Sequence, residues 1–322
     1  MASEPVLDVS SLTVRAGAVA LVQDVSLTVR AGETLCLVGE SGCGKSLTCL
    51  AAMGLLEPPL VATGAVRMFG QPLLSLGEAA LGRIRGRDAA MIFQNPAASL
   101  NPVHRVGDQV AEALAVHGKI PAGTARRRAI EMLAEVGIPD PAGRARAYPH
   151  EISGGMAQRV MIAMAMACRP RLLFADEPTT ALDVTVQAQI LRLMRDLVRQ
   201  SGTALVFVTH DLGVVAEIAD HVAVMYAGRV VETAPVEMLF RRPQHPYTRA
   251  LMACRVRTNR GRSVLPAIEG TVPLPGLHPP GCAFSPRCSQ AEPVCATLPP
   301  LRPTGPGAAA ACHFAGIAAV AA

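Results

Sequence analysis

The sequence predicts an α/β fold with a strand, a glycine-rich turn and a helix at its heart. An antiparallel β subdomain precedes this unit, a helical subdomain interrupts it, and a Pro/Gly/Cys-rich C-terminal extension follows it. Three observations predict this. The apolar, β-prone run Thr34-Leu35-Cys36-Leu37-Val38 leads into Gly39-Glu40-Ser41-Gly42-Cys43-Gly44-Lys45-Ser46, and an apolar helical run then extends from Leu47 to Leu56. Further apolar runs, Ala89 to Phe93, Leu172 to Ala175 and Thr203 to Val208, read as buried strands that end on polar residues. After Pro243 the composition changes, with Pro and Gly recurring from Pro266 to Gly307 and four of the nine cysteines falling from Cys282 onwards.

Residues 6–38 read as short strands, Val6 to Val9, Leu12 to Val14 and Val25 to Val29, separated by turns at Ala16-Gly17 and Arg30-Ala31-Gly32. Ala65 to Phe69 reads as another strand. From Val106 to Gly137 the period is helical, in two amphipathic helices parted by Gly118 to Gly123; Arg126-Arg127-Arg128 falls on a solvated face of the second. Ser153 is placed to N-cap a helix that runs to Cys168. A helix over Thr185 to Gln200, strands near 221–226 and 229–233 and a short helix near 236–241 close the core. The domain boundaries are thus 1–242, with a helical subdomain at about 97–165, and 243–322.

The strand–turn–helix context is the one a phosphate-binding P-loop requires. Glycines let successive backbone N–H groups converge on one concavity, and the helix adds its unpaired N–H groups and positive dipole end. Lys45 would reach the β- and γ-phosphates and Ser46 would ligate Mg²⁺. Of 30 basic residues only Lys45 and Lys119 are lysines. One of the two therefore stands where a compact ammonium is needed and a planar guanidinium does not substitute.

Four further residues carry candidate chemistry. Asp176 fits a carboxylate that holds Mg²⁺ through water, and Glu177 is placed to polarise an attacking water as general base. Gln94, at a strand end, would ligate Mg²⁺ and sense the γ-phosphate; His210 would bond the γ-phosphate and orient the water. Taken singly, each has a plainer reading: a charge pair at a helix start, a surface amide, a structural histidine. Their order and spacing relative to the P-loop favour the functional one.

Composition narrows the class. Net charge is +5 with no Trp and three Tyr, which offers neither the dense basic stripe nor the stacking platforms of nucleic-acid binders. Residues 1–5 carry no signal-peptide pattern, and no uncharged apolar run reaches the ~20 residues of a membrane helix. A soluble protein on the cytosolic side is expected, with cysteines as thiols or metal ligands.

In order along the chain, Gly39–Ser46, Gln94, Ser153-Gly154-Gly155-Met156, Leu173-Phe174-Ala175-Asp176-Glu177, Ala181-Leu182-Asp183 and His210 resemble the Walker A, Q-loop, signature, Walker B, D-loop and H-loop of ATP-binding cassette (ABC) ATPases. The resemblance implies a P-loop NTPase core of the ABC ATPase type. It further implies that two such subunits sandwich two ATPs, the P-loop of one facing Ser153-Gly154-Gly155 and Asp183 of the other. Two departures stand out: Met156 replaces the family's glutamine, and no aromatic lies near position 16 to stack on adenine. Arg15 is the candidate substitute.

Finer text narrows the resemblance. Ile92-Phe93-Gln94-Asn95-Pro96, Ser99-Leu100-Asn101-Pro102, the run Ser153 to Ala163, Ala181 to Ile190, His245-Pro246-Tyr247-Thr248-Arg249-Ala250-Leu251 and Gly281-Cys282-Ala283-Phe284-Ser285-Pro286-Arg287-Cys288 resemble the ATPases of di- and oligopeptide importers. That implies a peripheral subunit on the cytoplasmic face of the membrane. Its partners would be a second, related ATPase, two permeases and an extracytoplasmic solute-binding protein, with no nucleic acid. The permease coupling helix would dock around Gln94 to Asn101 and the helices to about residue 150. Nickel importers share the core text, but their ATPases often lack the cysteine-bearing extension, so peptide is favoured. A soluble, non-transport ABC ATPase is the competing class; it would usually carry two cassettes or a long coiled-coil insertion.

Cys282, Cys288, Cys295 and Cys312 are separated by five, six and sixteen residues, wider than the tight pairs of zinc sites. Spacing alone leaves free thiols and a metal centre equally open. Their segment is too poor in periodic apolar residues to fold on its own core, which favours a metal staple. Some ATPases resembling this one carry a [4Fe–4S] cluster on four such cysteines. Cys36, Cys43, Cys49 and Cys168 read as small buried residues.

Overall fold

The computed structural model describes residues 4–180, 182–254 and 267–316. In chain order the elements begin with β1 (Leu7–Ala16), β2 (Val19–Val29), β3 (Thr34–Val38), α1 (Lys45–Ala52), β4 (Leu60–Met68), β5 (Gln71–Pro72), α2 (Glu78–Ile84) and β6 (Ala89–Ile92). A helical stretch follows: α3 (Pro96–Ser99), α4 (Val106–Val116), α5 (Ala122–Glu135), α6 (Pro141–Arg144) and α7 (Gly154–Met166). Next come β7 (Leu172–Asp176), α8 (Val184–Ser201), β8 (Ala204–Thr209), α9 (Leu212–Ile218), β9 (His221–Tyr226), β10 (Arg229–Pro235) and α10 (Val236–Arg241). The chain closes with α11 (Pro246–Ala253), β11 (Arg302–Gly305) and β12 (Ala308–Ala310).

Two compact units share these elements, residues 1–7, 28–34 and 67–208 in one and residues 8–27, 35–66 and 209–322 in the other. In the first unit, β7 lies between β6 and β8 and runs parallel to both, from Ala89 opposite Leu172 to Asp176 opposite Val208. Every residue of β7 and β8 is buried, which explains why these strands are continuous apolar runs rather than alternating ones. Helix α5 buries Ala125, Ala129, Met132 and Leu133, a single stripe at helical spacing. Arg126 and Arg127 lie on its exposed side, where Arg126 approaches Asp108 of α4 at 3.6 Å. Ser153 caps α7 by accepting from the Met156 N–H at 3.3 Å.

In the second unit, β3 runs parallel to β9, and β9 pairs antiparallel with β10. The short strands of the last residues join the same sheet: β12 pairs with β10, Glu232 opposite Ala310, and β11 pairs with β12. The segment expected to be loop-rich thus contributes two short strands to this sheet. In a second sheet β1 lies between β2 and β4. The two short strands expected near the N-terminus are one, β1, whose alternation is reset at Ser11 by a left-handed φ of 49°. Two adjacent exposed residues, Ser10 and Ser11, make a continuous strand read as a break.

Candidate functional site

In the second unit, the stretch from Gly39 to Ser46 is held between β3 and α1. Gly39 passes so close to the main chain of β9 that a Cβ would run into the Met225 carbonyl oxygen. Gly44, the N-cap of α1, has φ 98° and a Cβ there would press on Val22 at 3.0 Å; only glycine fits both demands. Lys45 is 5% exposed, and its Nζ donates to the carbonyls of Gly39 at 2.9 Å and Glu40 at 3.0 Å. Ser41 and Gly42 are exposed, Cys43 is buried, and Ser46 is half-buried in the first turn of α1. The Lys45 ammonium and the exposed loop residues thus lie together at a helix start, the setting in which backbone N–H groups and a cation favour an anion.

Glu40 is gripped from the extension, a contact the sequence did not disclose. Arg287 bonds its carboxylate with both ends of the guanidinium, Nη1 at 2.7 Å and Nη2 at 3.1 Å. The Glu40 N–H donates to the Tyr247 hydroxyl at 2.9 Å. Tyr247 is fully buried, and burial pushes its phenol up, so it stays protonated. The run His245 to Leu251 now has a physical account. His245 Nδ1 accepts from the Tyr247 N–H and caps α11, while the His245 N–H and the Gln244 N–H donate to the buried Glu232 carboxylate. These bonds fix Tyr247 in register.

In the first unit, β7 delivers Asp176, 7% exposed, at its last position. Glu177 follows with a left-handed φ of 45°, its N–H bonded to the Val208 carbonyl at 3.0 Å. Such a conformation is costly for a non-glycine residue and collects at functional sites. The Gln94 amide donates to Glu177 Oε2 at 3.2 Å, so the structure brings together two residues that lie 83 positions apart. Thr180 Oγ1 donates to the same oxygen at 3.0 Å, a partner the sequence did not single out.

The other candidates are placed as follows. Ser153 and Gly154 are exposed at the start of α7, and a Cβ on Gly155 would meet Val186 at 3.0 Å. Asp183 is exposed and caps α8, accepting from the Thr185 and Val186 N–H groups at 3.0 Å each; Ala181, from the same run, lies outside the described residues. In the second unit, His210 is exposed just after β8, and Asp211 beside it caps α9, a helix the sequence reading missed. Arg15, exposed at the end of β1, donates to the Ala18 carbonyl across the turn at 3.0 Å.

Cys282, Cys288, Cys295 and Cys312 all line one small cavity beside Phe284, and the Cys282 N–H donates to the Cys295 carbonyl at 2.9 Å. Burial foremost, and then one another's charge, push the thiols of Cys282, Cys288 and Cys312 up. Among the described residues no group of three or more His, Cys, Asp or Glu is arranged to hold a metal ion. The four thiols are gathered at one cavity without being closed into a ligand cage. Of the thiols expected to be buried in the core, Cys36, Cys43 and Cys49 are, and Cys168 is half-buried.

A glycine-rich strand-to-helix loop with a buried lysine, together with a strand-end Asp-Glu pair whose glutamate is held by a glutamine, marks the P-loop nucleoside-triphosphatases of the ATP-binding cassette class. Comparison with known proteins agrees: residues 22–180 match the ABC transporter family and residues 231–295 match the oligopeptide/dipeptide transporter C-terminal region. A probable peptide ABC transporter ATP-binding protein of Sinorhizobium fredii is 55% identical, covering 89% of this chain and 87% of its own. The dipeptide transport ATP-binding protein DppD of Escherichia coli is 48% identical, covering 91% and 90%. A solved dimeric ATP-binding cassette in a post-hydrolysis state, bound to ADP and Pi, aligns with a TM-score of 0.64 at 27% identity, covering 71% of this chain and 98% of that one. This chain belongs to the ABC transporter family, as one of its ATP-binding proteins. Among the described residues no helix is long and apolar enough to cross a membrane.

Proposed function

We propose that this chain is the ATP-hydrolysing subunit of an importer that carries di- and oligopeptides across the cytoplasmic membrane. The observation that carries the reading is the joint match of the cassette and of the oligopeptide/dipeptide transporter C-terminal region in one chain, at 22–180 and 231–295. Relatives of nearly the same length are named as peptide and dipeptide transport ATP-binding proteins.

In this reading the backbone N–H groups of Gly39 to Ser46 and the Lys45 ammonium bind the β- and γ-phosphates. Ser46, Asp176 and Gln94 would hold Mg²⁺, which would supply charge neutralisation to the triphosphate. Glu177 takes a proton from the attacking water; the Gln94 and Thr180 donors fix the carboxylate that does so. His210 orients that water. Ser153, Gly154, Gly155 and Asp183 serve the nucleotide of a partner subunit, the exposed helix start of α7 turning its N–H groups to the γ-phosphate, and Arg15 would stack on the base. The working assembly is a pair of related ATPases on two permeases with an extracytoplasmic binding protein, the chain lying peripherally on the cytoplasmic face. Residues 1–242 form the ATPase domain, with its helical subdomain at about 97–165, and 243–322 the extension.

The four thiols at one cavity are the residues that would hold a [4Fe–4S] cluster, and their present arrangement would have to close around it; such a cluster would staple the extension. Anaerobically purified chain should then absorb near ~400 nm; a colourless protein with stoichiometric zinc rejects the cluster. For the transport reading, vesicles holding the complete complex should take up labelled dipeptide only with ATP inside. Glu177→Gln should retain ATP and stop uptake. Nickel uptake without peptide uptake would overturn the solute assignment.

A further inference from the structure

The extension meets the nucleotide loop at Glu40 and holds it at two points, Arg287 and Tyr247, while Lys45 of the loop itself supplies a third. Glu40's carboxylate receives both ends of the Arg287 guanidinium, its N–H is taken by Tyr247, and its carbonyl accepts from Lys45 Nζ at 3.0 Å. Arg287 is itself immobilised. Its side chain is 4% exposed, Nε donates to the Glu269 carbonyl at 2.9 Å and Nη2 also reaches the Ile268 carbonyl at 3.2 Å. Glu40 keeps 29% exposure, so the pair is asymmetric: a fixed cation restrains a carboxylate that would otherwise be free to turn.

A carboxylate at the second position of an anion-binding loop is an electrostatic liability. Left unpaired, it would repel the triphosphate that the loop N–H groups and Lys45 attract. A buried, bidentate guanidinium cancels that charge and fixes the carboxylate away from the phosphates, as a planar fork does better than a point charge. We propose that Arg287 is a positioning residue of the nucleotide site: from the cysteine-bearing extension it neutralises Glu40 and sets the affinity of the loop for ATP. The inference rests on the ATPase reading above and adds the extension to the machinery of ATP binding. Arg287 lies between Cys282 and Cys288, in the short 3-10 turn Ser285–Arg287, so whatever orders the thiols also orders this guanidinium.

The test is ATP titration of the full-length chain, followed by steady-state turnover in the permease complex. Arg287→Ala should weaken ATP binding about tenfold, raising KM while kcat at saturating ATP stays within about twofold. Arg287→Lys, which keeps the charge but not the fork, should lose only about threefold. The diagnostic variant is the double substitution Arg287→Ala with Glu40→Gln, which removes the exposed charge and should recover affinity to within about threefold of wild type. A part that merely staples the extension would not be rescued by removing its partner. Should Arg287→Ala fail to fold, Arg287→Gln keeps the reach without the charge and should show the same loss and the same rescue. Wild-type affinity in a folded Arg287→Ala or Arg287→Gln chain, or a double variant as weak as the single one, overturns the proposal. A wild-type chain that binds no ATP brings down the ATPase reading itself.

Discussion

Residues 39–46 and residues 281–295 are both loops that carry glycine and cysteine, yet different physics holds them. The first is fixed by its backbone, clamped between a strand and a helix, with Gly39 against the Met225 carbonyl and Gly44 as helix cap. The second has no sheet partner of its own and is fixed by short-range backbone bonds, the Cys282 N–H on the Cys295 carbonyl among them, and by the Arg287 side chain on Ile268, Glu269 and Glu40. A backbone-held loop tolerates side-chain change but no added bulk at its close contacts. A loop that also leans on one buried guanidinium should be more sensitive to loss of that side chain, and the two should respond differently to substitution and to pH.

The largest contrast is steric. Gly39→Ala forces a Cβ into the Met225 carbonyl and should cost about 3 kcal/mol or more by denaturant unfolding, with loss of ATP binding. Gly276, in the extension but outside that loop, meets only Val19 at 3.4 Å as alanine and carries just the penalty of a φ of 82°, about 1 kcal/mol, whereas Gly281 inside it would run into the Cys295 carbonyl as Gly39 does into that of Met225. Equal costs would erase the distinction.

A second contrast is protonic. His245, 2% exposed, anchors the extension, and burial, helped by the Arg249 charge, pushes its imidazole down to about 4. The unfolded chain's histidine titrates near ~6.5, so between the two values unfolding takes up a proton and stability falls as pH drops. Glu232, which accepts from the His245 N–H, opposes this: burial raises its carboxyl, so its contribution falls as pH rises. Comparing wild type with His245→Asn cancels the Glu232 term. Between pH 7 and 4 the wild type should lose on the order of 3 kcal/mol more than the variant. Parallel stability curves would remove His245 as the anchor.

The smallest effect separates two roles for Asp183. Asp183→Ala removes a helix cap and should cost about 1 kcal/mol, whereas Asp183→Asn should keep the cap to within a few tenths. If turnover in the assembled complex falls for the asparagine variant at unchanged stability, the residue acts beyond its own helix. Wild-type turnover would leave it a cap alone.

Legibility followed the same divide. The strand–turn–helix about Lys45, the buried runs of β7 and β8 and the Ser153 cap were readable because each is local: a few consecutive residues with one period or one capping pattern. Gln94 and Glu177 were named separately, but their contact spans 83 positions and only the pairing of β6 with β7 brings their strand ends together. Ser11 disguised one strand as two by breaking its alternation. The Arg287–Glu40 pair spans 247 positions, and no period or motif links them. The same holds for β11 and β12, only four and three residues long and containing Pro, Gly and Ala, which owe their conformation to pairing with each other and, through β12, with β10 rather than to propensity.

The most direct test is ATP turnover by the assembled permease–ATPase complex in which this chain carries Lys45→Ala and Ser153→Ala together. Removing the Lys45 ammonium and the Ser153 cap of α7, to which the proposed function assigns the phosphates and a partner's nucleotide, should lower peptide-stimulated hydrolysis at least ~10²-fold. Hydrolysis at the wild-type rate would mean that ATP is bound and cleaved elsewhere.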